Sequence, residues 1–284
     1  MRRRKAAGLA LPELMVALAI GLLLILASTT LLMATRSTYL LQDDRARVEE
    51  SGRYAIDVIG RAVRQAGYRD WGAAGVADGD WPAVSGLDAR SLKETVDGMG
   101  APYNVAVNGS DVLALRFDSA DEGDAGMQNC AGASVPAGTA GSGWSIFYIA
   151  RDSGGEPELR CKYRGASGWK SDALVRGVED FQVLYGMDSA VAGVPRRFIS
   201  ATVLEQEGAG WQRVAAVKVA LLVRGTQPGP ARGRYYALFG ADDVNQADQG
   251  TRISEDDLPA ASRGLLRRVY GATVYLRNRG RDEP

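Results

Sequence analysis

Histidine is absent from all 284 residues. The commonest general base and the commonest metal ligand are therefore missing, which weighs first against an enzyme. The serines and lysines stand in no nucleophile motif, so no nucleophile can be paired with a base. A surplus of charge is missing too. Basic and acidic residues balance at 34 each, and no basic stripe with interleaved aromatics argues for nucleic acid. Cysteine is confined to Cys130 and Cys161, and no proline falls between Pro12 and Pro82, so nothing in that span forbids helix. Apolar side chains are plentiful. At 46% they suffice for a core in one large or two modest domains, and the composition is not that of a disordered chain.

The first 35 residues organise the rest. Residues 2–5 (RRRK) are basic, a small-residue linker ends in Gly8, and residues 14–35 form a run of 22 without a charge. As helix at ~1.5 Å per residue such a run crosses a bilayer. The basic cluster stays on the cytoplasmic side by the positive-inside rule, which sends the remaining chain across. A secretory signal peptide has an apolar region of roughly 7–15 residues followed by small residues; here Ala6, Ala7 and Gly8 precede a longer run. Glu13 lies at the edge of that run. An unpaired carboxylate in hydrocarbon costs ~2.5 kcal/mol or more, so Glu13 belongs near the interface or opposite a cation.

Residues 8–17, GLALPELMVA, resemble the class III signal of type IV prepilins. The resemblance implies that a membrane-embedded aspartyl peptidase cuts between Gly8 and Leu9, that Leu9 becomes an N-methylated first residue, and that Glu13 is the family's characteristic glutamate. Leu9 stands where phenylalanine is usual, and Pro12 where an aliphatic residue is usual. Proline in a first helical turn lacks only an N–H that has no intrahelical partner. Cleavage leaves a cationic amine within an apolar segment, and Glu13 of a neighbouring subunit would neutralise it. Two such charges favour a staggered bundle of many helices.

Helical patterning continues beyond the apolar run. Val48, Gly52, Ala55, Ile59, Ala62 and Ala66 recur at spacings of three or four, and Asp43 with Arg47, Glu49 with Arg53 and Asp57 with Arg61 lie four apart with the acid first. Gly67 is a C-terminal stop. The pattern predicts one helix from about Pro12 to Ala66. Residues 68–102, rich in Gly, Asp and Pro, read as a surface connection, with Trp71 and Trp81 either tucked against the domain or exposed as a patch.

Short strands follow. Residues 112–117 form the first, and 145–150 with 158–164 read as a hairpin whose second strand carries Cys161. Between them the Gly-rich insert 118–143 holds Cys130. Two cysteines on the exported side read as a disulfide rather than two free thiols. Asp118, Asp121, Glu122 and Asp124 form an acidic cluster without EF-hand spacing; it is read as a solvated loop, and no metal or other cofactor is predicted. Residues 174–188, 214–224 and 266–278 alternate as strands, with Gly271 a candidate bulge.

Those three segments, with residues 51–68 (SGRYAIDVIGRAVRQAGY), resemble the PilW family of minor pilins in order and spacing; residues from about 70 to 170 carry no likeness. The resemblance implies an α+β, type IV pilin-like fold, a long N-terminal helix on an antiparallel β domain. Its parts would be a cleaved leader at 1–8, a transmembrane and filament-core helix at 9–35, an amphipathic continuation at 36–67, and a periplasmic domain at 68–284 with a variable insert at about 70–170. Without the leader's four basic residues, 30 basic face 34 acidic. It further implies a non-enzymatic subunit of the pilus tip or priming complex, held in the inner membrane with its N-terminus cytoplasmic before assembly. Its partners would be other minor pilins, the major pilin, prepilin peptidase and a large tip adhesin. A J-type minor pseudopilin of type II secretion is the nearest alternative, and a membrane-anchored periplasmic enzyme or binding protein the more distant one. Mass spectrometry of the exported protein should find N-methylated Leu9 as its first residue; an intact leader in a strain with active prepilin peptidase would overturn this reading.

Overall fold

The computed structural model describes residues 11–69, 81–119, 127–135, 143–165, 167–188, 195, 197–229, 234–240, 248 and 250–278. Gly8, Leu9, Trp71, Asp121, Glu122 and Asp124 lie outside them. The first element, α1 (Leu11–Gln65), is one helix of 55 residues. The chain divides into two compact units, residues 1–46 and 47–284.

In the second unit the described strands are all antiparallel. β1 (Val84–Leu87), β2 (Val112–Phe117), β3 (Gly143–Arg151), β4 (Pro157–Gly165) and β5 (Gly168–Arg176) form a five-stranded sheet in sequence order. β6 (Val178–Met187), β7 (Arg197–Ile199), the short helix α2 (Ala201–Gln206) and β8 (Val214–Pro228) come next; β9 (Tyr235–Ala237) and β10 (Arg252–Ser254) pair with each other, and β11 (Leu265–Tyr275) ends the order. The second sheet runs β11-β8-β6-β7. This is the expected α+β architecture: a long N-terminal helix with antiparallel sheets.

The helical periodicity from Val48 onward places one face of α1 in the core. Val48, Ala55, Val58, Ile59, Ala62, Val63 and Ala66 pack with Leu113, Leu115, Phe147, Ile149 and Leu159 of the first sheet and with Phe181, Val183, Val217 and Val219 of the second. Burial of this kind gives ~25 cal/mol per Å² of apolar surface, so the two sheets and the helix share one core. On the other face of the first sheet Leu87, Val112, Ala114, Ile146 and Tyr148 are covered by Leu92 and Met99. Lys162 anchors that cover: its side chain is fully buried, and its ammonium donates to the carbonyls of Lys93 at 2.7 Å and Val96 at 2.5 Å.

Several elements differ from the sequence expectation. The stretch 174–188 is not one strand. Gly177, at φ +75°, turns the chain from β5 into β6 and so from one sheet to the other; its N–H donates to Pro157 O and its carbonyl accepts from Arg224 N, both at 2.8 Å. Alternation alone does not register such a corner, because a single left-handed glycine interrupts it. The connection at 68–102 contains β1, which pairs with β2. Gly271 is in regular register opposite Ala220, and the irregularity in β11 falls instead between Leu265 and Arg267. Trp81 does pack inward, with the Arg69 and Arg116 guanidinium groups 4.5 and 4.9 Å from its ring centre.

The end of α1 is built as expected. Gly67 is left-handed at φ +75°, and the Asn278 amide donates to the carbonyls of Arg64, Gln65 and Ala66 at 3.3–3.4 Å. These are the orphan acceptors of a helix C-terminus, satisfied from the far end of the chain. Higher on the helix, Gly52 lets the Tyr270 ring of β11 lie against the backbone: a Cβ there would sit 2.3 Å from the ring. Replacing Gly52 with Ala gains ~1 kcal/mol of helix propensity but overpacks by ~1–3 kcal/mol. Gly52→Ala should lower the midpoint of thermal unfolding by a few degrees, and the same change in a Tyr270→Ala background should raise it. A stabilising Gly52→Ala in the parent would show that Tyr270 does not press on the helix.

Candidate functional site

In the first unit the surface of α1 is apolar and open. Leu14, Met15, Leu22, Leu23, Ile25 and Leu31 are each more than half exposed, and an 18-residue window reaches a mean hydropathy of 2.5. By length and composition the segment is able to cross a membrane. Its threonine hydroxyls are satisfied within the helix. Thr29 donates to Leu26 O, Thr30 to Ala27 O and Thr35 to Leu31 O, at 2.8–2.9 Å. In hydrocarbon an unbonded hydroxyl is costly, so this back-bonding makes the residues tolerable there. Glu13 is exposed in the first turn of α1, where a carboxylate also meets the positive end of the helix dipole.

In the second unit α1 is held by β11 through polar groups at its flank. Glu49 pairs with Arg53 one turn on, at 2.9 Å, and with Arg268 of β11, and it accepts from the Tyr270 hydroxyl at 3.2 Å. Burial raises and the cations lower the Glu49 pKa; the cations prevail. Asp57 and Arg61 pair at 3.3 Å, so two of the three expected pairs form. Beneath β11 lies a charged cluster that periodicity could not reveal. Arg267, with no side-chain exposure, grips Glu179 of β6 at 2.5 and 3.1 Å and donates to Ser262 O at 2.6 Å, while Arg224 of β8 lies 3.4 Å from the same carboxylate. The sequence signal was charged residues, Glu179, Arg224 and Arg267 among them, set into largely apolar strands.

Cys130 and Cys161 are bonded to each other, with Cα atoms 5.9 Å apart. Cys161 is in β4, and Cys130 sits in a turn that Asn129 shapes by accepting from the N–H groups of Ala131 and Ala133 at 2.9 and 3.2 Å. Gln65 of α1 donates to Gln128 O at 3.1 Å, and the Cys130 N–H to Ser145 Oγ at 2.9 Å. The loop is thereby tied to the helix and to the first sheet. Asp118 is buried, at 3% exposure, rather than solvated. Among the described residues no group of three or more acidic or cysteine side chains has a metal-binding arrangement. The described residues thus present an apolar helical surface in the first unit and, in the second, a domain that includes the rest of α1.

Residues 146–278 match the family model described as Type IV Pilus-assembly protein W. The match begins within the stretch at about 70–170 that carries no resemblance in sequence pattern, and it does not include α1. No curated protein matches the chain. Among solved structures, the type IV-like pilin TTHA1219 from Thermus thermophilus is 15% identical, with 83% of this chain and 98% of that chain covered and a TM-score of 0.43.

The loop between the two cysteines spans 31 positions, for which chain entropy gives at most ~3–4 kcal/mol. Thiol labelling of denatured, unreduced protein should find no free cysteine. Replacing both cysteines with alanine should lower the unfolding midpoint by several degrees; labelling of both in the parent would remove the bridge from the account.

Proposed function

We infer that this chain, whose residues 146–278 belong to the PilW family of type IV pilus-assembly proteins, is a minor pilin of the tip or priming complex. The observation that carries the reading is this family match on a domain whose helix α1 is continuous with an exposed apolar segment. Its work is assembly rather than catalysis. Residues 9–35 are first a transmembrane helix in the inner membrane, with the domain periplasmic, and then part of the filament core, where neighbouring helices replace lipid. Apolar burial changes little in that exchange, so specificity rests on polar matching and on domain contacts.

Within this reading, prepilin peptidase cuts between Gly8 and Leu9 and Leu9 is methylated. Glu13 then faces the new amine of an adjacent subunit. Other minor pilins and the major pilin are the partners, with a large adhesin at the tip. Over a J-type pseudopilin of type II secretion, the reading is favoured by the pilus-assembly family match.

Deleting the gene should reduce the number of surface pili, and restoring it should recover them; unchanged piliation would sink the priming role. Glu13→Gln should leave insertion and cleavage intact while weakening co-purification with other minor pilins. A buried charge left without its partner costs up to ~3–5 kcal/mol, and less near the interface. Equal recovery of variant and parent would remove the charge-matching step.

A further inference from the structure

Opposite the core face that carries Phe181 and Val183, β6 carries an acidic site that the assembly reading does not use. Asp180 and Gln182, two residues apart on one face of the strand, are both fully buried. Asp180 Oδ1 accepts from Ser110 Oγ at 2.9 Å, from the Phe181 N–H at 2.8 Å and from the Gln182 amide at 3.0 Å. The same amide donates to Gly109 O at 3.0 Å. Asp180 Oδ2 and Gln182 Oε1 have no partner at all, nor does Asp248 Oδ2, which is also shielded from solvent. A buried acceptor without a donor is unfavourable, and native proteins leave few of them.

Backbone closes the pocket. Gly250, at φ +91°, approaches so tightly that a Cβ on it would lie 2.0 Å from the Gln182 amide nitrogen, 2.9 Å from Gly109 O and 3.0 Å from Asn108 O. Asp88 and Asp111 stand nearby but are occupied. Asp88 accepts from the N–H groups of Ala201 and Thr202 at the start of α2, and Asp111 from those of Ala89 and Val183. None of the ion pairs among the described residues involves these four aspartates. Asp248 acts electrostatically on Asp180, and Asp88 on Asp248, and among the described residues no lysine or arginine pairs with them.

We propose that this pocket is a binding site for a divalent cation of the calcium type, with Asp180 Oδ2, Gln182 Oε1 and Asp248 Oδ2 as side-chain ligands and the carbonyls of Asn108 and Gly109 beside them. The donor set is all oxygen, which suits a hard cation and gives no foothold to metals that select imidazole or thiolate. Backbone carbonyls and an amide are ordinary calcium ligands. Two carboxylates make a site of low charge, of the kind with dissociation constants of ~10⁻⁴–10⁻³ M. A cation would also relieve the electrostatic cost of the cluster: burial, and then the Asp88 carboxylate, holds Asp248 up to about 7, and burial foremost holds Asp180 up to about 8.

The full chain, purified in detergent and stripped with a chelator, should be unfolded thermally while calcium chloride is titrated in, with magnesium chloride and sodium chloride as controls. Saturable stabilisation by calcium is expected, roughly 3–5 °C at about ten times the dissociation constant, with a smaller effect of magnesium and none of sodium at equal ionic strength. Asp180→Asn and Asp248→Asn retain the shape of the side chain and should each abolish the calcium-dependent rise while leaving the calcium-free midpoint at or above that of the parent. The combined change Asp121→Asn, Glu122→Gln and Asp124→Asn should leave the rise intact. Calorimetric titration of the unsubstituted chain, which does not depend on any variant folding, should give one site. No saturable response in the parent, or a response that survives Asp248→Asn, would overturn the proposal; neither result bears on the role in pilus assembly.

Discussion

The structure depends on one helix that must satisfy two environments along its length. From Val48 to Ala66 its buried face is complementary to two β-sheets, whereas residues before Thr35 expose large apolar side chains almost continuously. Neither requirement tolerates a break in the hydrogen-bond ladder. In hydrocarbon an interrupted helix leaves backbone groups unsatisfied, and in the core it moves every residue that follows to a different face. The absence of proline between Pro12 and Pro82 is the compositional trace of that constraint. Gly52 and Gly60 are tolerated because the helix is held by its packing rather than by propensity.

The second sheet is attached to this helix by small, close contacts. Tyr270 lies on Gly52, Glu49 reaches Arg268, and Asn278 closes the last turn. β11 occupies an edge of its sheet, and these side-chain contacts fix it against the helix. Under it, the Arg267 and Glu179 pair links β11 to β6 with its charges out of water. A buried pair adds little net stability over an apolar pair, but losing one member is severe, so it enforces register. Charge is therefore used differently in the two parts of the chain. Under β11 the Arg267 and Glu179 charges are buried and matched to each other, while Glu13 on the apolar segment awaits a partner from another chain under the assembly reading.

The acidic pocket at Asp180 and the bridge between Cys130 and Cys161 are local solutions to a common problem. Both secure irregular segments, at 107–111 and at residues 248, 250 and 251 in one case and at 127–135 in the other, to regular strands.

Periodicity and punctuation made much of this legible beforehand. The helix end followed from the apolar face and Gly67, because each is a property of consecutive residues. The strands at 112–117, in the hairpin, at 214–224 and at 266–278 were likewise visible, since alternation is local. What only the tertiary structure decided was the association of residues distant in sequence. That β5 and β6 part into different sheets at Gly177, that β1 exists because β2 offers an edge, and that Glu179 meets Arg267 all depend on long-range pairing. The sequence alone determined which segments were helical, extended or apolar; the sheets, the buried ion pair and the acidic pocket arose where those segments had to share one limited interior.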